Sequence, residues 1–430
     1  PGDNPAGNNN RTPKDVGGVK ARLTLGQAND GGANKLAAAL DYHAYVNDTL
    51  IIVSAGNEGG TSRQIGAPAD LWNGISVGAT DAAFNARAEY SSYWIVTDDG
   101  TLVESRGKPE ILAPGTGIET EFLNPADGTS FAAPHVAGIA ALIAEGTPNT
   151  AGVNPGQGGM VSRDHLIQKA IILNSARKRG IEGPNAANQT ARDHANTGNE
   201  ASDGDYLNGL TSLRPGNSSS SPKTREWTPS NWGYFGGVLS VSGGLDDEQG
   251  VGLADAERAL HQLDGGQYLD DLTLPGGVGS VGWAVDQLSG GNSHSYTIKE
   301  HIRMFSFITA TLVWDRPMSW VDDADGKLEF ENDSFVQGAL PDFDLYVYYK
   351  GNLIAQSVAS SIINPENVEH LHFPAPFPGA PMDYRIDVKL HGALGNTSYA
   401  LAWWTTVPEP SGVAIVIVIA AAGLARRRAA

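Results

Sequence analysis

The sequence contains no cysteine, which excludes a disulfide framework and any thiolate metal site and leaves the redox compartment open. Basic residues are in deficit as well: 29 Lys and Arg against 48 Asp and Glu leave a formal charge of −19. That balance argues against a nucleic-acid partner and suits a soluble, exported protein. The conspicuous apolar run at the C-terminal end, residues 413–424, is shorter than the ~20 residues that cross a bilayer untilted. Pro1 is neither an initiator Met nor part of a signal-like apolar segment, so a processed or incomplete chain is expected. What is present is ample: 430 residues, 40% of them hydrophobic, can form two or three domains with sizeable cores.

Residues 1–32 are rich in Gly, Asn and Pro and read as loop or insertion. From Ala33 a helical pattern begins, with Leu36, Ala39, Leu40 and His43 expected on one face, and it gives way to the apolar run 50–53. A helix feeding a buried strand that ends in Ser54, Ala55, Gly56, Asn57, Glu58 and Gly59 suits a parallel α/β sheet whose strand C-termini carry the site. Residues 75–79 and 111–115 read as two more short buried strands with glycine or proline stops.

The stretch Asp127-Gly128-Thr129-Ser130-Phe131-Ala132-Ala133-Pro134-His135-Val136-Ala137-Gly138 is a turn running into a small-residue helix. A hydroxyl there sits at a helix N-terminus, where unpaired N–H groups and the dipole favour developing negative charge. Taken alone, Thr129 or Ser130 could simply cap the helix, and Asn57 could be a turn residue tolerating left-handed geometry. The motif Gly-Thr-Ser-x-Ala-x-Pro-His-Val-x-Gly, however, resembles the nucleophile motif of the subtilisin-like serine peptidases, the subtilases. The resemblance implies that Ser130 is the nucleophile and that Asn57, in Ser-Ala-Gly-Asn-Glu-Gly, donates its amide to the oxyanion. It further implies that Ala55 and Gly56 line the specificity pocket and that Gly128 and Thr129 bind substrate.

Two tempting residues do not fit. Asp98 and Asp99 follow Asn57 in the chain, whereas the family order is Asp, His, Asn, Ser, and Asp-Gly between apolar-alternating runs is a hairpin signal. His135 lies five residues beyond Ser130, about 7.5 Å of helical rise, and faces away from it. In the family this His belongs to the helix. None of the ten histidines has the His-Gly-Thr-His context of the family's base, and no catalytic Asp motif precedes Asn57. The chain is therefore expected to hold only the C-terminal portion of a subtilase catalytic domain and, as given, to be nearly inactive.

Residues 165–176, ending Leu-Asn-Ser-Ala, resemble the helix that follows the serine helix in the family. Residues 181–225 are polar and read as a surface insertion. A glycine turn and final helix near 250–260 close the domain, giving 1–265 as the catalytic portion. Residues 266–406 change to short aromatic and β-branched runs, which predict an all-β sandwich of jelly-roll type and resemble the β-sandwich domains behind many bacterial subtilase domains. Asp342 and Asp344 share a strand face there; no cofactor is required for the chemistry, and a structural calcium is conceivable but not assignable. Residues 407–430, Val-Pro-Glu-Pro-Ser followed by an apolar helix and Arg426, Arg427 and Arg428, resemble the PEP-CTERM sorting signal processed by an exosortase. That resemblance implies export to a Gram-negative envelope and membrane contact through this segment.

The reading is thus an exported serine endopeptidase of protein or peptide substrates, with no nucleic-acid partner. The alternative, from another class, is a surface binding or adhesion protein that keeps the subtilase scaffold without catalysis.

Overall fold

The computed structural model describes residues 35–59, 65–82, 87–93, 107–121, 125–146, 164–178, 245–246, 248–273, 275–304, 306–322, 328, 333–358, 366–392 and 395–406, and the backbone of 14–16, 19–21, 95–96, 102–103, 233–235 and 238–241. The expected insertion at 181–225, the hairpin at Asp98 and Asp99 and the segment 407–430 lie outside the described residues.

After a short hairpin of β1 (Lys14–Val16) and β2 (Val19–Ala21), helix α1 (Lys35–Asn47) leads into β3 (Ile52–Ser54). β3, β4 (Ile75–Thr80) and β7 (Ile111–Pro114) form a parallel sheet in that order, Ile52 opposite Ile75 and Val77 opposite Ile111. β5 (Ile95–Val96) and β6 (Leu102–Val103) pair as a small antiparallel ribbon. β4 is buried at every position, as a central parallel strand covered on both faces must be. The parallel sheet expected from the sequence is present.

α1 buries a different face from the one expected. Ala37, Ala38, Asp41 and Ala44 are inside, whereas Leu36, Ala39 and Leu40 are half-buried and His43 is exposed. The reason is Asp41, whose carboxylate accepts the N–H groups of Trp72 (2.8 and 3.0 Å) and Asn73 (2.7 Å). A buried carboxylate satisfied by backbone donors can sit on the inner face of a helix. Its alanine neighbours allow close approach.

Helix α2 (Thr129–Glu145) lies against β3, β4 and β7, burying Ala132, Val136, Ile139, Ala140 and Ile143 at helical spacing. Its first turn comes very near the sheet edge. A Cβ on Gly115 would meet Ala79 Cβ at 2.6 Å and the Gly128 carbonyl at 2.9 Å, so the strand exit after β7 must be glycine. Beneath the sheet, the buried pair Lys108 and Glu110 is locked by Ser76, whose N–H and Oγ each donate to Glu110 Oε2 at 2.7 Å, and by Lys108 Nζ on the Leu71 carbonyl at 2.8 Å. Burial works to raise the Glu110 pKa, but Lys108 and Lys169 outweigh it and hold the carboxyl below its ordinary value.

Helix α3 (His165–Ser175) is buried on all sides. It is capped by Asp164 Oδ1, which accepts the Leu166 and Ile167 N–H groups at 2.9 and 3.3 Å. Such a helix needs apolar partners all round. α2 and α4 (Ala256–Asp264) supply one side, and strands of the following β region supply the other.

That region contains two antiparallel-rich sheets packed face to face. The first runs β10 (Val281–Leu288), β19 (Thr397–Thr406), β12 (Phe307–Trp314) and β17 (Val368–Pro374). The second runs β11 (Ser293–Thr297), β18 (Tyr384–His391), β15 (Asp342–Tyr349) and β16 (Asn352–Val358), then β9 (Val238–Val241) and β8 (Gly233–Phe235). A separate ribbon pairs β13 (Met318–Val321) with β14 (Ser334–Gln337). Between the two large sheets lie Trp314, Phe343, Tyr296, Tyr399 and Trp403, large rings whose tilted contacts fill the sandwich.

The outer face of the first sheet is also buried. Trp283, Val313, Val368, Ala400 and Ala402 belong to the same core as Ile75, Val136 and Ile171. Polar groups cross this boundary too: Thr311 Oγ1 donates to Asn174 Oδ1 (2.9 Å), Asn174 Nδ2 donates to Gln262 Oε1 (2.7 Å), and Gln262 Nε2 donates to the Gly282 and Trp403 carbonyls. β8 and β9, which precede residue 265, extend the sandwich sheet through a parallel pairing of β9 with β16. The α/β and β-rich parts share one continuous core. Among the described residues no helix is long and apolar enough to cross a membrane.

Candidate functional site

The exit of β3 and the N-terminus of α2 meet at the C-terminal edge of the parallel sheet. Ala55 N–H donates to the Val77 carbonyl at 2.9 Å, prolonging β3 for one residue. The chain then turns at Gly56, whose φ of +106° excludes side chains, and a Cβ there would strike Glu58 Oε2 at 2.7 Å and Ser92 Oγ at 2.9 Å. This turn lifts Asn57 to the surface beside the first turn of α2.

Asn57 is held from both sides. Its backbone N–H donates to Glu58 Oε2 at 2.7 Å, and that carboxylate also accepts Ser92 Oγ at 3.0 Å. Ser92 in turn accepts the Glu58 N–H at 3.0 Å, and its own N–H donates to the Gly56 carbonyl at 2.9 Å. On the other side, Thr129 N–H donates to Asn57 Oδ1 at 3.0 Å, and Thr129 Oγ1 lies 3.0 Å from the same oxygen. With Oδ1 engaged, the amide cannot flip without losing these bonds. Nδ2 is left to donate, and it lies 3.7 Å from where a Gly128 Cβ would stand.

Ser130 follows Thr129 as the second residue of α2 and is exposed. Its backbone N–H belongs to the first helical turn, which has no intrahelical acceptor. Pro134 lies in the helix and has no N–H to give to the carbonyl four residues earlier, that of Ser130. Among the described residues Ser130 Oγ makes no hydrogen bond to an imidazole. His135 Nδ1 donates to the Phe131 carbonyl at 2.8 Å, which occupies it within its own helix.

Asn57, Gly56, Gly128, Thr129 and Ser130 meet at one edge. Ala55 is buried among Val53, Ile65 and Ala69. Thr129 is also buried, and its hydroxyl is spent on Gly56 and Asn57, with Gly56 N–H donating to Oγ1 at 3.2 Å. Glu58 and Ser92 were not anticipated as site residues. Glu58 adjoins Asn57 and was legible in principle; Ser92 arrives from a distant loop and carried no local signal.

Asp48, Asp164 and His165 bring ligand atoms within 4.8 Å of one another, but both His165 nitrogens already face carboxylates and Asp164 caps α3. Asp270, Asp286 and His294 do likewise, yet Asp270 accepts Leu272 N–H, Thr273 N–H and Thr273 Oγ1. Asp344 is engaged by Tyr346 Oη at 2.6 Å and by His391 Nε2 at 2.7 Å. Burial raises the Asp344 pKa, with Asp342 adding to the rise against the Tyr346 hydrogen bond and the His391 charge.

Residues 16–201 match a family model described as the Subtilase family. Alkaline elastase YaB of Bacillus sp. (strain YaB) is 30% identical over 164 residues, 37% of this chain and 37% of that protein. Subtilisin BL of Lederbergia lenta is 33% identical over 135 residues, 30% of this chain and 42% of that protein. The chain thus spans about two fifths of the length of these curated relatives. Among solved structures, sphericase is 29% identical, with 33% of this chain and 46% of that chain covered and a TM-score of 0.23. Over residues 16–201, this chain carries a sequence similar to the subtilase family of serine peptidases.

Proposed function

We propose that this chain carries the nucleophile and oxyanion half of a subtilisin-like serine endopeptidase. The observation that supports it most strongly is the double hold of Thr129 on Asn57 Oδ1, which presents an amide N–H beside a serine at a helix N-terminus. In this reading Ser130 Oγ attacks the carbonyl carbon of the scissile peptide bond and its proton passes to an imidazole base. The oxyanion is received by Ser130 N–H and Asn57 Nδ2. The base returns the proton to the departing amine, and water then releases the acyl group from Ser130. The base and its carboxylate come from sequence other than the described residues. Gly128 and the backbone at Ala55 and Gly56 receive the substrate chain.

The remainder of the reading is export, an envelope location and membrane contact through the apolar run at 413–424, with an exosortase-like enzyme acting on the C-terminal segment. The test is kinetic, on the complete gene product with a peptide substrate. Asn57→Ala lowers kcat by about 10²–10³-fold with little change in KM, the loss that removal of an oxyanion-hole amide causes in subtilisin. An unchanged kcat refutes the assignment of Asn57. A complete product that hydrolyses no peptide favours the non-catalytic scaffold instead.

A further inference from the structure

One end of the β-sandwich holds apolar side chains out to solvent. Met304 and Phe377 are each 46% exposed and Met382 is 50% exposed. The loops that carry them are tied together: Ile302 and Gly379 exchange backbone hydrogen bonds at 3.1 and 2.8 Å, Ala375 N–H donates to Ser306 O at 2.7 Å, and Met382 N–H donates to Ile298 O at 2.8 Å. Phe377 stacks on Tyr349 with centroids 4.9 Å apart, and Tyr349 packs on Tyr384 at 5.0 Å. Tyr384 Oη donates to the Phe377 carbonyl at 2.5 Å. The exposed ring is braced from behind.

The charge at this end differs from that of the chain as a whole. Lys299, Arg303 and Lys350 are exposed here. The carboxylates beside them are Glu300, which accepts Ser280 N–H at 3.2 Å, and Asp383, 3.6 Å from Lys350 Nζ. With Asp271, which accepts Thr297 N–H and Oγ1 at 3.1 and 2.6 Å two residues before Lys299, cations and carboxylates balance in this group, on a chain of net −19.

β19 ends at this same end of the sandwich. The last residue of β19, Thr406, stands opposite Phe307, which stands opposite Pro374 on its other side. Residues 407–412 follow, then the apolar run 413–424 and three arginines. Six residues reach at most about 20 Å. The apolar run therefore begins within a short tether of Met304 and Phe377.

We infer that this end of the sandwich is a lipid-docking surface, its apolar side chains entering the headgroup boundary and its basic residues meeting anionic headgroups. The inference rests on the reading, given above, that residues 413–424 associate with lipid. The opposite end, at the turn 289–292 between β10 and β11, then stands about 26 Å farther from the bilayer, the length of an eight-residue strand.

Because the chain has no cysteine, Phe377→Cys and Asn292→Cys variants of the full chain each accept a single environment-sensitive fluorophore. With vesicles of phosphatidylethanolamine and phosphatidylglycerol, the chain cosediments, the label at 377 shifts to the blue and is quenched by nitroxide lipid, and the label at 292 does neither. Joint replacement Met304→Ser, Phe377→Ser and Met382→Ser weakens vesicle binding by about tenfold or more, while circular dichroism confirms an intact fold. Cosedimentation with a water-exposed label at 377, or undiminished binding of the triple variant, overturns the docking surface and leaves the reading of 413–424 standing. Absence of cosedimentation overturns both.

Discussion

His165 ties the α/β part to the sandwich and makes stability pH-dependent in a predictable direction. Its ring is buried at the N-terminus of α3, with Nδ1 2.6 Å from Asp48 Oδ1 and Nε2 3.0 Å from Asp315 Oδ2. Burial opposes the charged ring, but hydrogen bonds and charge from Asp315 and Asp48, with Asp164 adding, overcome it and raise the pKa from 6.5 to about 9. A rise of that size corresponds to about 3 kcal/mol of folded-state preference for the imidazolium. The folded protein binds this proton more tightly than the unfolded chain does. The contribution is therefore complete below pH 6.5 and is lost as pH climbs through about 9. Asp48 is largely exposed and screened by solvent, whereas the Asp315 side chain is 12% exposed. Most of the effect is accordingly assigned to Asp315. In urea titrations at pH 6, 8 and 10, Asp315→Asn is less stable than the parent at pH 6, and that difference shrinks by about 2 kcal/mol by pH 10. Comparing the two proteins at each pH cancels the other titrating groups. A difference that stays constant from pH 6 to 10 refutes the charged latch.

Two further outcomes follow from buried hydrogen bonds. On the proposed function, Thr129→Val removes the hydroxyl on Asn57 Oδ1 and lowers kcat of the complete gene product by about tenfold at similar KM, with Thr129→Ser restoring most of it; equal losses in both variants would point to packing instead. Asp41→Ala strands the Trp72 and Asn73 N–H groups inside the protein and should cost about 3 kcal/mol in urea unfolding. A loss under 1 kcal/mol, roughly the size of an ordinary surface change, would mean that those donors find other partners.

The site was legible in the sequence where its residues are contiguous. Gly128 to Gly138 identifies a turn and helix by short-range pattern, and Asn57 sits in an equally compact turn. What joins them was not legible: the Thr129 hydroxyl reads as a cap or a substrate contact until its distance to Asn57 is known. Ser92 reaches the turn from 34 residues beyond Glu58. The face of α1 was misread because a buried carboxylate breaks the apolar stripe, and Asp41 is explained only by the N–H groups of residues 72 and 73. The strand-rich C-terminal region was visible in its aromatic and β-branched alternation. Its fusion to α3 was not, because His165, Gln168, Lys169 and Asn174 interrupt the apolar pattern of that helix and only their buried polar partners explain them. The pairing of β9 with β16 joins strands more than a hundred residues apart and leaves no local trace.

Ser130 as nucleophile is central to the proposed function. The most direct measurement treats the complete gene product with a fluorophosphonate and locates the adduct by peptide mass spectrometry. The account predicts a single phosphonylated serine, Ser130, absent from Ser130→Ala and weakened in Asn57→Ala. Labelling that persists in Ser130→Ala, or a complete product that takes up no probe at all, contradicts it.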